Sequence, residues 1–142
     1  MQRTAVLLAI AFCMAYILAE RVTIDGMGTT YEVDTEGKGD HTVKDGLSIT
    51  VHTTGYLADG KKKFWSTHDG DKPMDYTQGA GNLIKGFEAG IAGAKVGESR
   101  TVHIPAAEAY GASGAGDVIP PNSDIMFEIA VTKIDGKGEA DL

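Results

Sequence analysis

Cysteine is nearly absent from this chain of 142 residues: the single one, Cys13, sits in an N-terminal stretch unlike everything after it. With no second thiol there is no disulfide framework, and beyond that stretch there is neither a thiolate metal site nor a cysteine nucleophile. Stability has to come from an ordinary hydrophobic core. Basic charge is also short, 13 Lys and Arg against 20 Asp and Glu, for a formal net charge of −7. Nucleic acid is therefore not an expected partner, because affinity for it is built largely on neutralising phosphates with Lys and Arg. The usual catalytic signatures are missing too. His41, His52, His68 and His103 have no metal-ligand spacing, and HExxH, paired CxxC, GxSxG, Walker and GxGxxG patterns do not occur. Asp34, Glu36 and Asp40 crowd one segment without the spacing of a calcium loop, which reads as a solvated face. No metal and no cofactor is expected.

What is present begins with one long apolar run. Arg3 provides a positive start, Ala5 to Ala19 is uncharged and mainly apolar, and Glu20 ends it. This is the pattern of a secretory signal peptide over residues 1–19, cut after Ala19 or, as second choice, after Ala15. The run is shorter than the roughly 20 residues a bilayer-crossing helix needs. An uncleaved anchor is the weaker alternative, and no stable membrane anchor is expected after cleavage. The remainder, 42% hydrophobic and 23% charged as a whole chain, suits one globular domain over residues 20–135, followed by a flexible polar tail at residues 136–142.

The mature chain reads mostly as strands. Tyr31 to Gly37 alternates modestly and leads into a turn-rich Gly37 to Asp40, an edge strand and loop. In Leu47 to Leu57 the period is two: Leu47, Ile49, Val51, Thr53, Gly55 and Leu57 share the face expected to meet the core, with Ser48, Thr50, His52, Thr54 and Tyr56 opposite. Asp59-Gly60 and the lysines 61–63 read as a solvated turn, and Met74 to Thr77 as a short strand. From Asn82 the period changes. Asn82 can cap a helix with Leu83, Ile84, Phe87 and Ile91 along one side and Gly93 at its end. Gly86 and Gly90, four apart, would weaken a free helix, so a close approach of its backbone to the sheet explains them. Period two returns in Ser99 to Ile104, with His103 facing outward, and in Ile125 to Val131. The economical fold is α+β: a twisted antiparallel sheet, a half-barrel, wrapped around one short α-helix.

Between those last strands lies Tyr110 to Pro121. Gly111, Gly114 and Gly116 open backbone regions closed to other residues, while Pro120 and Pro121 fix φ and extend the residue before each. Such a loop bends sharply and then holds still. Val118 and Ile119 are large apolar residues within it, which the core or a ligand must cover. The remaining candidates are also aromatic and apolar: Phe64, Trp65, Tyr76, Phe87, Phe127 and Tyr110 itself. A pocket lined that way suits an apolar ligand or chemistry that needs no acid, base or metal.

The ordered motifs Gly60-Lys-Lys-Lys-Phe64, Lys72-Pro73, Leu83-Ile-Lys-Gly-Phe-Glu88, Ala109-Tyr-Gly-Ala112 and Ile119-Pro-Pro121 followed by Phe127 span Asp34 to Ile134. In this respect the chain resembles the FK506-binding-protein family of peptidyl-prolyl isomerases. The resemblance implies the half-barrel around a short helix and a pocket in which Phe64, Leu83, Ile84, Tyr110, Ile119 and Phe127 have the family's residue types. It puts Phe87 where the family usually has a tryptophan floor. It further implies Tyr110 and a backbone donor at Ile119 as the polar groups near substrate, with Phe87 and Phe127 completing the catalytic set, and Trp65, Met74, Tyr76, Val118 and Thr53 on the pocket walls. Partners implied are proline-containing polypeptides, with FK506- and rapamycin-type macrolides as inhibitors.

The expected reaction needs no bond to be made or broken. Rotation about an Xaa-Pro bond has a barrier of about 18–20 kcal/mol because the twisted amide loses conjugation, and unaided it takes roughly tens to hundreds of seconds. A dry aromatic pocket that favours the twisted form over both planar states catalyses it by differential binding.

The chain departs from the family pattern at four places. Thr53 stands for a tyrosine in the first long strand, Trp65 for an aspartate after the phenylalanine with an extra lysine before it, Met74 for a phenylalanine, and Ala115 for the histidine of some members. Two readings follow: an isomerase assisting folding in the secretory pathway, or a weakly or non-catalytic peptide-binding or partner-binding module of the same fold. The leader, with a Glu139 to Leu142 tail that shares acidic character and a final leucine with KDEL-type signals, points to the endoplasmic reticulum lumen, or else to periplasm or secretion.

Overall fold

The computed structural model describes residues 20–142, so the leader expected over residues 1–19 lies outside the described residues. Its main sheet is wholly antiparallel, in the order β1 (Val22–Thr23), β2 (Thr30–Thr35), β8 (Ser99–Ile104), β9 (Ile125–Ile134), β4 (Ser48–Leu57) and β5 (Lys62–Ser66), with β6 (Met74–Thr77) also paired to β4. A two-stranded sheet joins β3 (Lys38–Thr42) to β7 (Lys95–Val96), so the expected loop at residues 37–40 is in fact mostly strand. The lysines at 62 and 63, read as part of a turn, open β5.

β4 is central because its ten residues serve three neighbours. One edge pairs with β9 throughout; the other pairs with β6 along its first half and with β5 along its second. Its inward residues Ile49, Val51, Thr53 and Gly55 are buried, as the alternation requires. Ile49 and Val51 join Val102 and Ile104 of β8 and Ile125, Phe127, Ile129 and Val131 of β9 in a single apolar cluster.

The helix α1 (Lys85–Ile91) crosses this concave face. A Cβ on Gly90 would overlap the Val102 side chain, and one on Gly86 would overlap Ile104. The helix backbone therefore lies directly on β8, at a separation that no larger residue would allow. Its start differs from expectation: Asn82 does not cap it. The cap position is Ile84, extended at φ −60° and ψ 147° and without a side-chain cap, because positive-φ glycines 79 and 81 keep the preceding segment in a turn.

The far end of α1 is held by a residue the periodicity placed on the apolar face of β8, Arg100. Its side chain is buried, pairs with buried Glu98 at 2.5 Å, and donates from Nη1 to the carbonyls of Gly90 and Ala92, each at 3.0 Å. Its guanidinium also lies 4.1 Å from the centre of the Tyr31 ring. A buried cation so fully engaged satisfies the orphan carbonyls of a helix C-terminus. Past Ile134 the chain turns back through Lys137 and ends with Leu142 against Gly39.

Gly90→Ala tests the contact between helix and sheet. Overpacking costs about 1–3 kcal/mol and should outweigh the helix-propensity gain of about 1 kcal/mol, lowering the urea midpoint. Adding Val102→Ala should recover part of that loss relative to Val102→Ala alone.

Candidate functional site

The mouth of the half-barrel, between α1 and the Tyr110 loop, holds a cavity of about 440 Å³. Its floor is Phe87, projecting from α1 and meeting Phe127 of β9 edge-to-face, with ring centres 5.2 Å apart. Phe127 in turn meets Phe64 of β5 edge-to-face at 5.7 Å. These rings need an empty position on β4: a Cβ on Gly55 would come within 2.6 Å of Phe64 and 2.7 Å of Phe127. Offset and edge-to-face arrangements are the favoured geometry for aromatic quadrupoles.

The walls come from three segments. Leu83 and Ile84 stand at the entrance to α1, Met74 at the start of β6, and Tyr110, Val118 and Ile119 on the long loop. That loop is self-braced: Ala115 and Ile119 exchange both backbone hydrogen bonds, at 2.9 and 3.1 Å, and Asn122 N–H donates to Gly111 O at 2.8 Å. Gly114, at φ 64°, has no room for a Cβ because the Ile119 carbonyl fills that space. The two large apolar residues of the loop part ways. Ile119 packs into the core, whereas Val118 stays 55% exposed at the cavity rim.

Phe64 and Trp65 are neighbours in sequence, and in a regular strand they would face opposite sides of the sheet. They both line the cavity because β5 bulges. Gly55 is opposite Trp65 but Tyr56 is opposite Lys63, which leaves Phe64 as the extra residue.

Two residues expected on the walls are not there. Thr53 is 1% exposed and does not line the cavity, and its hydroxyl has no partner among the described residues. Tyr76 supports the floor from behind: its ring meets Phe87 edge-to-face at 5.9 Å, and its hydroxyl donates to Gln78 Oε1 at 2.9 Å. Gln78, itself buried, donates from Nε2 to the Glu88 carbonyl at 2.7 Å. Burial, followed by the charge of Glu88, pushes the Tyr76 phenol up in pKa. Conversely, Asn82 and Ala115 line the cavity without having been singled out as site residues. Asn82 was read as a helix cap, and alanine carries no chemical signal.

The expected backbone donor is also corrected. Ile119 borders the cavity, but its N–H is already bonded to Ala115 O at 3.1 Å. The loop closes on itself and uses that donor internally. Tyr110 lines the cavity, and burial pushes its phenol up in pKa, so it stays protonated and able to donate. The turn that delivers Tyr110 is tied to the start of the domain by Glu108. This carboxylate accepts from Thr29 Oγ1 at 2.6 Å, Gly28 N at 2.7 Å and Thr29 N at 2.9 Å. The Thr29 hydroxyl, and then the backbone donors, hold its pKa below the ordinary 4.5.

No group of three or more His, Cys, Asp or Glu side chains is placed to hold a metal among the described residues, and no helix among them is long and apolar enough to cross a membrane.

The architecture is a single-helix antiparallel half-barrel with a braced aromatic cavity and one phenol at its rim. Comparison with known sequences gives the family. The FKBP-type peptidyl-prolyl cis-trans isomerase family matches residues 39–132, and the chain belongs to it. An FK506-binding protein of Neisseria meningitidis serogroup B is 46% identical over 99 residues, which span 70% of this chain and 89% of that one. FK506-binding protein 1A of Neurospora crassa is 40% identical over 114 residues, 79% and 94% of the two chains. FK506-binding protein 2 of Kluyveromyces lactis is 36% identical over 135 residues, 94% of each. In three dimensions the N-terminal domain of FKBP42 from Arabidopsis thaliana superposes with a TM-score of 0.74 over 82% of this chain and 92% of that domain, at 24% identity, a likeness of fold.

Two substitutions test this arrangement. Thr53→Val removes a buried hydroxyl that lacks a partner while keeping its shape, so thermal unfolding should show unchanged stability or a gain of up to about 1 kcal/mol. Glu108 has a lowered pKa in the fold, so its contribution is fully present above the unfolded value of 4.5 and disappears as pH falls through the folded value. The stability difference between wild type and Glu108→Gln should therefore be constant well above 4.5 and shrink as pH falls below it, in acid titrations followed by circular dichroism.

Proposed function

We propose that the chain is a peptidyl-prolyl cis–trans isomerase that binds Xaa-Pro segments of polypeptides in the Phe64, Phe87 and Phe127 cavity. The observation that carries this reading is the make-up of the cavity. Three edge-to-face rings form an apolar floor, and no acid, base or nucleophile stands among the lining residues beyond the Tyr110 phenol. Such a site cannot cleave a bond, yet it can favour one conformer of a bound amide.

The proline ring sits on Phe87 and Phe127. The twisted amide has lost conjugation and is less polar than either planar state, so apolar walls that exclude water favour it over both. A substrate held at two points on either side of the bond rotates about it instead of tumbling. Tyr110 offers its hydroxyl as one hold. The second is the backbone N–H of Ile84, at a wall position beside the floor; this N–H takes no part in the backbone pairing that occupies Ile119. FK506- and rapamycin-type macrolides fit the same cavity as inhibitors. With the leader of residues 1–19, the reading extends to assistance of proline-limited folding in the secretory pathway, in the endoplasmic reticulum lumen.

The runner-up, a binding module with little turnover, draws on the indole of Trp65 in the wall, which adds apolar surface where it can hold a segment without speeding its rotation.

The deciding experiment is NMR exchange on a short Ala-Xaa-Pro-Phe peptide with the purified protein. Acceleration that an FK506-type ligand abolishes is expected; a folded protein that binds the peptide without accelerating exchange sinks the isomerase reading. Phe87→Leu should cut kcat/KM about tenfold, equivalent to about 1.4 kcal/mol, with a smaller effect on the unfolding midpoint. The pH profile should be flat through neutrality and change only above the ordinary tyrosine value of 10.0, since burial raises Tyr110 beyond it.

A further inference from the structure

Beyond the proline cavity, the sheet edge carries a second recess of about 620 Å³, formed by the turn between β5 and β6 and lined by Ser66, Thr67, Asp69, Lys72 and Pro73. The two recesses are continuous in one respect: Trp65 and Met74 border both. Trp65 is the only tryptophan in the chain and is 43% exposed. Other large apolar side chains exposed on the described surface gather beside it on the same mouth, Val118 and Tyr110, while Val22 and Leu142 lie near the ends of the described chain. The β5 bulge explains why the indole and Phe64 are here together. Trp65 stands opposite the inward-facing Gly55, and the extra residue lets its neighbour Phe64 share that mouth, where a regular strand would send two consecutive residues to opposite faces.

We propose that Trp65 is a specificity-determining residue that selects Xaa-Pro segments with an aromatic residue flanking the proline. The flanking ring stacks on the indole, and the chain beyond it runs into the second recess. This rests on the isomerase reading for turnover, but the selection itself is a property of binding. The occupant is polypeptide because the second recess continues the one that takes the proline, and a segment of several residues is what two adjoining recesses accommodate. The flanking residue is aromatic because the indole is 43% exposed at the junction of the two recesses, and aromatic pairs gain energy beyond the area they bury.

The test compares Ala-Ala-Pro-Ala with Ala-Phe-Pro-Ala and Ala-Ala-Pro-Phe on the wild-type protein, Trp65→Ala and Trp65→Phe. Affinity is measured by calorimetry and, in the wild type, by emission of the sole tryptophan; turnover is measured by NMR exchange. At least one phenylalanine peptide should exceed the alanine peptide by about threefold to tenfold in wild type. That ratio should fall to about one in Trp65→Ala and return in Trp65→Phe. Its persistence in Trp65→Ala overturns the proposal, as does a wild-type ratio of one. A dimer that depends on Trp65, seen by sedimentation without peptide selectivity, overturns it in favour of self-association. Absence of turnover with the affinity ratio intact would instead defeat the isomerase reading and leave the selection standing.

Discussion

The fit of the helix backbone against β8 is the constraint on which the rest of the structure depends. Val102 and Ile104 occupy the space that side chains on Gly90 and Gly86 would need, so α1 lies as low in the concavity as a helix can. Only at that depth does Phe87 reach Phe127 and Tyr76 in edge-to-face contact. One glycine pair thus sets the level of the cavity floor. Arg100 holds the other end of the same helix through the Gly90 and Ala92 carbonyls, and the cost of burying its charge is offset by Glu98 and by the Tyr31 ring.

Around this floor the remaining parts are rigid for different reasons. The Tyr110 loop is braced by its own backbone, and Glu108 anchors its approach to residues 28 and 29. β5 reaches the cavity only through a bulge, which turns two consecutive residues inward. The polar chain from Tyr76 through Gln78 to the Glu88 carbonyl braces the floor from the side away from the cavity. The proposed isomerase activity would need such stiffness, because a preference for a twisted amide disappears if the walls relax to fit a planar one.

Much of this was legible before any coordinates. Period-two alternation marked β4, β8 and β9, the glycines of the helix pointed to a close approach, and the order of motifs marked the family to which the chain belongs. The errors have a common origin. Asn82 had the chemistry of a helix cap, but glycines 79 and 81 keep its segment in a turn and the helix starts later. The Ile119 N–H is occupied by Ala115, Tyr76 stands behind Phe87, and neither Tyr76 nor Thr53 lines the cavity.

By itself the sequence determined which faces are apolar, where the chain bends and which rings were available, because these follow from side-chain chemistry and local backbone geometry. The tertiary structure alone decided which rings face the cavity and which stand behind it. It also decided which donors are already spent, and that an arginine on an apolar face belongs there. Each of those outcomes turns on partners far apart in the chain: Gly90 and Arg100 across helix and sheet, Gly55 and Trp65 across a bulge, Thr29 and Glu108 across most of the domain. No local pattern carries the position of a partner, and it is the partner that fixes where a side chain points and what its polar atoms are free to do.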